Sequence, residues 1–216
     1  MNTNSHNVLI QYLGQMEYLP IWRKMQHFTE TRNENTLDEI WFLEHPPVFT
    51  QGLAGKPEHI LNLKTIPLVQ SDRGGQITYH GPGQLIVYFL VDIRRKGFGI
   101  RSFVSKIEQA VIDLLAEYSV VGQSNPKAPG VYVGEAKICS LGLRIRRGSS
   151  LHGLSLNVDM DVTPFDCINP CGFTDLKMVQ LKDFCTPPTL ASLATALVPH
   201  LCRHLGYIHP NKYIPL

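Results

Sequence analysis

The run Gln84-Leu85-Ile86-Val87-Tyr88-Phe89-Leu90 places apolar side chains at six successive positions, without polar residues on alternate sites. A strand written this way has no face to turn to water and has to be covered on both sides. Glu39-Ile40-Trp41-Phe42-Leu43 has the same character, rich in β-branched and aromatic residues. The chain must therefore build a sheet that lies between other layers. Its helical stretches supply the cover. One helix is expected from about Tyr18 to Thr31. A better-marked one runs from about Arg101 to Tyr118, where Phe103, Ile107, Ala110, Val111, Leu114 and Tyr118 fall on one stripe. A third is expected to start at Thr189 as N-cap and to bury Leu190, Leu193, Leu197 and Leu201, with Pro199 expected to kink or break it. Gly130 to Val133, Ala136 to Ile145 and Leu151 to Val158 read as an antiparallel meander, separated by the turns Gly134-Glu135 and Arg147-Gly148-Ser149. The expected class is α/β (α+β), a mixed and largely antiparallel sheet flanked by helices.

Length sets the scale: 216 residues suit one compact domain spanning 1–216, and no repeat or Pro/Ser-rich linker marks a boundary. Hydrophobic residues at 44% and charged residues at 18% exclude a disordered or fibrous chain. The N-terminus lacks a signal-peptide pattern, and nowhere do about 18 consecutive apolar residues occur, so no membrane partner and a cytoplasmic location are expected. An odd count of 5 cysteines fits free thiols in a reducing compartment. A formal net charge of +2 gives no nucleic-acid footprint. The short clusters Arg94-Arg95-Lys96 and Arg144-Ile145-Arg146-Arg147 either attract an acidic partner or are solvated loop charges, the commoner case.

Three segments ask for chemistry. Arg73-Gly74-Gly75-Gln76-Ile77-Thr78-Tyr79-His80-Gly81-Pro82-Gly83-Gln84 holds too many glycines for a strand that merely packs, and paired glycines let backbone N–H groups approach an anion or carbonyl oxygen. Gly81-Pro82-Gly83 by itself is an ordinary tight turn. Neither a phosphate-loop nor a dinucleotide fingerprint is present. In Gly134-Glu135-Ala136-Lys137-Ile138-Cys139-Ser140-Leu141-Gly142, a lysine interrupts an apolar strand. Lys137 either points to solvent, the commoner case, or sits in a cleft where desolvation lowers its pKa. In Cys167-Ile168-Asn169-Pro170-Cys171-Gly172, the Asn-Pro approach and Gly exit can present Cys171 at a loop tip. Core burial, a disulfide with Cys167, and a metal site with Cys167, Cys139 and His152 compete with a nucleophilic role for Cys171. His80, His152 and Lys137 are equally credible as its base on spacing alone.

Taken together, Arg-Gly-Gly-Gln-Ile-Thr-Tyr-His-Gly-Pro-Gly-Gln, Gly-x-Lys-Ile-Cys-Ser-Leu-Gly, His-Gly-Leu-Ser-Leu-Asn, Ile-Asn-Pro-Cys-Gly and Glu-His-Pro-Pro-Val-Phe-Thr-Gln-Gly resemble the octanoyltransferase family of lipoate biosynthesis, in the family's order from about Leu9 to Gly206. The resemblance implies a biotin/lipoate protein ligase-like catalytic fold. It implies an acyl-thioester on Cys171, with Lys137 lowering the thiol's pKa. Substrate contacts fall on Arg73, Gly74, Gly75, Gln76, Ile77, Thr78, Tyr79, His80, Ser140, Leu141, Gly142, Gly153, Leu154 and Ser155. Ser155 departs from the alanine expected there and adds a hydroxyl at the acyl site. The implied partners are an octanoyl-acyl carrier protein as donor and lipoyl-domain proteins as acceptors, such as 2-oxoacid dehydrogenase E2 subunits and the glycine cleavage H protein. No cofactor beyond the carrier's phosphopantetheine and no metal are implied, and a monomer is expected.

On that reading Lys137 takes the thiol proton, returns it to the departing phosphopantetheine thiolate, then accepts one from the incoming lysine. Backbone N–H groups at Leu141 and Gly142 are the candidate oxyanion donors. Eight-carbon preference would come from a walled apolar slot, since each buried methylene contributes roughly 0.8 kcal/mol. Rival readings are an ATP-dependent lipoate or biotin ligase of similar fold, a non-catalytic acyl or lipoyl-protein binding module, and a hydrolase.

Overall fold

In the computed structural model the described residues are 6–215; the side chains of residues 171, 209 and 211–215 fall outside the description. In chain order the elements are β1 (Asn7–Gln15), α1 (Tyr18–Thr31), β2 (Asp38–Glu44), β3 (Val48–Gln51), β4 (Leu68–Gln70), β5 (Ile77–His80), β6 (Gln84–Leu90), α2 (Ile100–Glu117), β7 (Gln123–Ser124), β8 (Gly130–Val133), β9 (Ala136–Arg146), β10 (Ser149–Asn157), α3 (Leu190–Leu205) and β11 (His209–Pro215). They form an eight-stranded sheet, β11-β1-β2-β6-β10-β9-β8-β7, and a three-stranded sheet, β4-β3-β5. β1 runs parallel to β2 and β11, and β3 parallel to β4; the remaining pairs are antiparallel. The class is the expected one, a mixed, mostly antiparallel sheet with helices on it.

The two-faced burial of β6 explains its unbroken apolar run. Leu85, Val87 and Phe89 pack with Phe103, Ile107, Val111 and Leu114 of α2 and with Leu193, Leu197 and Leu201 of α3. Ile86, Tyr88 and Leu90 point to the opposite face, where Ile21 and Met25 of α1 meet Trp41 and Leu151. Each such side chain contributes about 1.5–3 kcal/mol by leaving water. The two layers therefore clamp one central strand.

Two sequence expectations need adjusting. α3 is capped as expected, Ser192 N donating to the Thr189 hydroxyl at 3.2 Å, but it runs on through Pro199 without a break. Its buried stripe Leu193, Leu197, Leu201 and Leu205 straddles the proline and holds both halves on the core. The cluster at residues 94–96 is also spent mostly inside the molecule. Arg95 and Arg32 donate to the fully buried Asp38 at 2.7 and 2.8 Å, Tyr207 Oη adds a third bond at 2.9 Å, and Lys96 Nζ donates to the Gly206 carbonyl at 3.0 Å. Among the described residues no helix is long and apolar enough to cross a membrane.

The smaller sheet has its own core, Phe49, Ile77, Tyr79, Phe165 and Ile168. Its role is positional. It carries residues 73–76 over the face of β6, β9 and β10 that α1 leaves uncovered.

Candidate active site

A narrow cleft opens between the sheet and that overhanging segment. Its floor is a row of directly paired residues, Ser140 on β9, Ser155 on β10 and Ile86 on β6. Its roof is Arg73 to Thr78, and Tyr18, His80, Tyr88 and His152 complete the lining. The roof is pinned close to the floor: Gly74 N donates to the Leu143 carbonyl at 3.0 Å. A methyl built on either Gly74 or Gly142 would stand 2.9 Å from the opposing backbone oxygen. Only glycine permits that approach. Gly52 beneath the roof is held the same way, a methyl there falling 2.8 Å from the Arg73 carbonyl.

Arg73 is a scaffold for this roof. Its guanidinium donates to the Thr50 hydroxyl (3.0 Å), the Gly74 carbonyl (2.9 Å), the Gln76 carbonyl (2.6 Å) and the Thr50 carbonyl. A rigid fork with five donors can tie several carbonyls at once, which fixes the turn that the glycines allow.

The resemblance placed fourteen substrate contacts, and thirteen of them line this one cleft: Arg73, Gly74, Gly75, Gln76, Ile77, Thr78, His80, Ser140, Leu141, Gly142, Gly153, Leu154 and Ser155. Tyr79 does not. Its ring packs in the small core, tilted at 5.4 Å from Phe49 and edge-on at 5.6 Å from Phe165, because alternation on β5 turns it from the cleft that Thr78 and His80 face. Tyr18, Ile86, Tyr88 and His152 line the cleft without having been singled out as substrate contacts.

Lys137 lies in β9 three residues before the cleft's Ser140 and is 1% exposed, which excludes the solvated reading. Its amine donates to the Pro129 carbonyl at 3.2 Å and sits 5.1 Å from the Tyr132 ring centre. Gly130, at φ +140°, provides the room: a methyl there would press on the lysine's Cε at 3.2 Å and Nζ at 3.4 Å. Glu108 of α2 holds that glycine through a 2.8 Å bond from Gly130 N to its carboxylate. Burial pushes the Glu108 carboxyl above its ordinary range, against the Gly130 N–H and the Lys137 charge. Glu108 was not singled out from the sequence; an acid set beside an apolar helical stripe is the signal that could have marked it.

The loop carrying Cys171 is brought to the same place. Residues 170–172 form a single 3-10 turn, and a side chain on Gly172 would strike Gln76 Nε2 at 2.9 Å, so the turn lies against the cleft roof. Further along, Lys137 N donates to the Lys177 carbonyl at 2.8 Å and Val179 N to the Lys137 carbonyl at 3.0 Å. Cys171 is thus tethered between Gln76 and the lysine's own strand, at most about 20 Å of chain from Lys177. Its side chain lies outside the described residues.

The other candidates for nucleophile and base are buried, and each of the two imidazoles is held by a side-chain hydrogen bond. Cys139 is fully buried and burial pushes its thiol well up, so it is not a reactive thiolate. Cys167 is a buried free thiol. His80 donates from Nδ1 to Gln84 Oε1 at 2.8 Å and accepts from Thr50 at Nε2 (3.2 Å); burial lowers its pKa to about 3. His152, in the left-handed region at φ +62°, donates from Nε2 to Asp72 at 2.7 Å, and burial holds its pKa down despite that carboxylate. Among the described residues no group of three His, Cys, Asp or Glu is placed to hold a metal ion.

Comparison with known proteins places this geometry. Residues 17–202 match the family described as lipoyl protein ligase A/B catalytic domain. An octanoyltransferase of Chromobacterium violaceum is 58% identical over 198 residues, 92% of this chain and 96% of its own. Among solved structures, a lipoate-protein ligase A bound with ATP superposes with TM-score 0.76 at 16% identity, covering 95% of this chain and 89% of that one. A bipartite lipoate protein ligase from Thermoplasma acidophilum, described with its E2 lipoyl domain, gives TM-score 0.76 at 17% identity over 97% and 88%. The two ligases establish likeness of fold.

Proposed function

The chain belongs to the octanoyltransferase family within the lipoyl protein ligase A/B catalytic domain, an acyltransferase family, and from that premise we propose that it carries octanoyl from an acyl carrier protein to a lysine of a lipoyl domain through a thioester on Cys171. The observation that carries the reading is a lysine amine buried to 1% exposure on the strand that floors the cleft, with the segment that follows the Cys171 turn hydrogen-bonded to that lysine's own backbone and the turn itself lying against the roof. In its neutral form the Lys137 amine can accept the thiol proton, and as an ammonium it can return it.

In the first half-reaction the thiol proton of Cys171 passes to Lys137 Nζ. The thiolate adds to the carrier thioester carbonyl, the C–S bond to phosphopantetheine breaks, and that thiolate takes the proton back from Lys137. In the second, the acceptor lysine's amine adds to the Cys171 thioester and gives its proton to Lys137. The C–S bond to Cys171 breaks, and Cys171 recovers the proton. Exchange of one thioester for another is nearly thermoneutral and amide formation is downhill, so no nucleotide is consumed.

The oxyanion would meet Leu141. β8 ends opposite Ser140, and beyond it the outer edge of β9 is used by the Gly74 to Leu143 bond. Strand alternation puts the Leu141 N–H on that same edge and turns the Gly142 N–H toward β10. Thr78 Oγ1 and Gln76 Oε1, buried on the cleft lining without a hydrogen-bond partner among the described residues, suit the polar end of a thioester with its neighbouring amide.

Intact mass of the protein after mixing with octanoyl-carrier protein, then with an apo lipoyl domain, tests the proposal. The expected result is one octanoyl adduct that Cys171→Ala abolishes and that moves to the acceptor. Product formed only with ATP and free octanoate would replace it with a ligase, and free octanoate in the presence of acceptor with a hydrolase.

A further inference from the structure

The cleft runs across the strands, from β9, which bears Lys137, over β10 to β6, along the row Ser140, Ser155 and Ile86. Two inter-strand steps span about 9.5 Å, close to the length of an extended eight-carbon chain. The neighbouring paired row, Gly142, Gly153 and Tyr88, has no side chain until its β6 end, where the Tyr88 ring stands with Tyr18 of α1 across His45 from it. Tyr88 is 4% and Tyr18 3% exposed, and both line the cleft. Resting on the acyl-transfer reading above, we propose that Tyr88 and Tyr18 are the end wall of the acyl slot and determine its eight-carbon length.

Both rings are fixed, as a length gauge requires. His45 donates from Nδ1 to the Met16 carbonyl at 2.5 Å, which leaves Nε2 to accept from the Tyr88 hydroxyl at 2.7 Å. Tyr18 shares a 2.7 Å hydrogen bond with Ser71 and lies parallel to the His80 imidazole, centroids 6.2 Å apart. His45 fills the angle between the tyrosines, its ring 5.3 Å from Tyr18 and 5.9 Å from Tyr88, and His152 closes the remaining side of Tyr88 at 6.2 Å. A tail longer than the slot would have to displace a hydrogen-bonded ring from a packed face. His45 acts here through Tyr88 and is a positioning residue.

The wall can be moved in both directions. Octanoyl, decanoyl and hexanoyl carrier-protein thioesters are compared by kcat/KM for transfer to an apo lipoyl domain. Tyr88→Leu should raise the decanoyl-to-octanoyl ratio about tenfold, the discrimination a hydrophobic pocket exerts over a small change in chain length. Tyr18→Leu, on a separate element, should raise it in the same sense. Ile86→Phe, filling the floor between them and the lysine strand, should favour hexanoyl. Circular dichroism and residual octanoyl transfer identify the variants that fold. Ratios within twofold of the wild type in folded Tyr88→Leu and Tyr18→Leu proteins overturn the assignment. If the wild type itself transfers no acyl group from any carrier thioester, it is the acyl-transfer reading that fails.

Discussion

Gly130 shows how much of this site depends on a missing side chain. With φ +140°, and with the lysine's Nζ 3.4 Å from where a methyl would lie, Gly130→Ala should lower stability by about 1–3 kcal/mol. It should also displace Lys137, so acyl-adduct formation on Cys171 falls more than the loss of fold accounts for; thermal melting beside adduct kinetics separates the two. Lys137→Ala is the cleaner probe of chemistry. Removing a positioned proton carrier should slow adduct formation by about 10²–10⁴-fold. The buried Glu108 would then lose a nearby positive charge, so a small loss of melting temperature is expected as well. An unchanged single-turnover rate in Lys137→Ala would remove the lysine from the mechanism.

At the scale of elements, the roof and α3 make opposite uses of backbone. In the roof, Gly74 meets Gly142 because neither has a Cβ, and Arg73 ties the carbonyls that such a turn leaves pointing inward. In α3 the local rule is broken and tertiary packing overrides it. Pro199 is exposed and lacks the N–H that would bond to Thr195, so it contributes no core contact to offset its strain. Pro199→Ala should therefore stabilise the protein by about 1–3 kcal/mol, read as a higher urea midpoint at unchanged slope. A lower midpoint would mean that the proline serves a contact or a bend that its exposure does not reveal.

Over the whole molecule, the buried imidazoles set the acid limit of the fold. Burial lowers His45 to about 4 and His80 to about 3 from an ordinary 6.5. Between those values the unfolded chain binds protons that the folded one refuses, so stability is complete above about pH 6.5 and declines as pH falls toward 4. Chemical denaturation at a series of pH values should show a plateau near neutrality and a loss below pH 6. His45→Gln should flatten the decline, whereas a wild-type stability unchanged down to pH 4 would place these rings in contact with water.

The periodic signals were legible because they are local. Burial of β6 on both faces, the stripe of α2 and the cap at Thr189 all follow from side chains within one element, and the family motifs singled out most of the residues that line the cleft, though not Tyr18, Ile86, Tyr88 or His152. The sequence alone left Lys137 open between solvent and cleft, since strand alternation is equally compatible with both. Tyr79 stood in the substrate motif, yet its side chain belongs to a core. What decided these cases was long-range pairing: β3 and β5 lift the glycine turn over β9, and α2 brings Glu108 to Gly130. Such contacts join residues far apart in the chain, and burial, which sets the chemistry of an amine or an imidazole, comes into being only when they close.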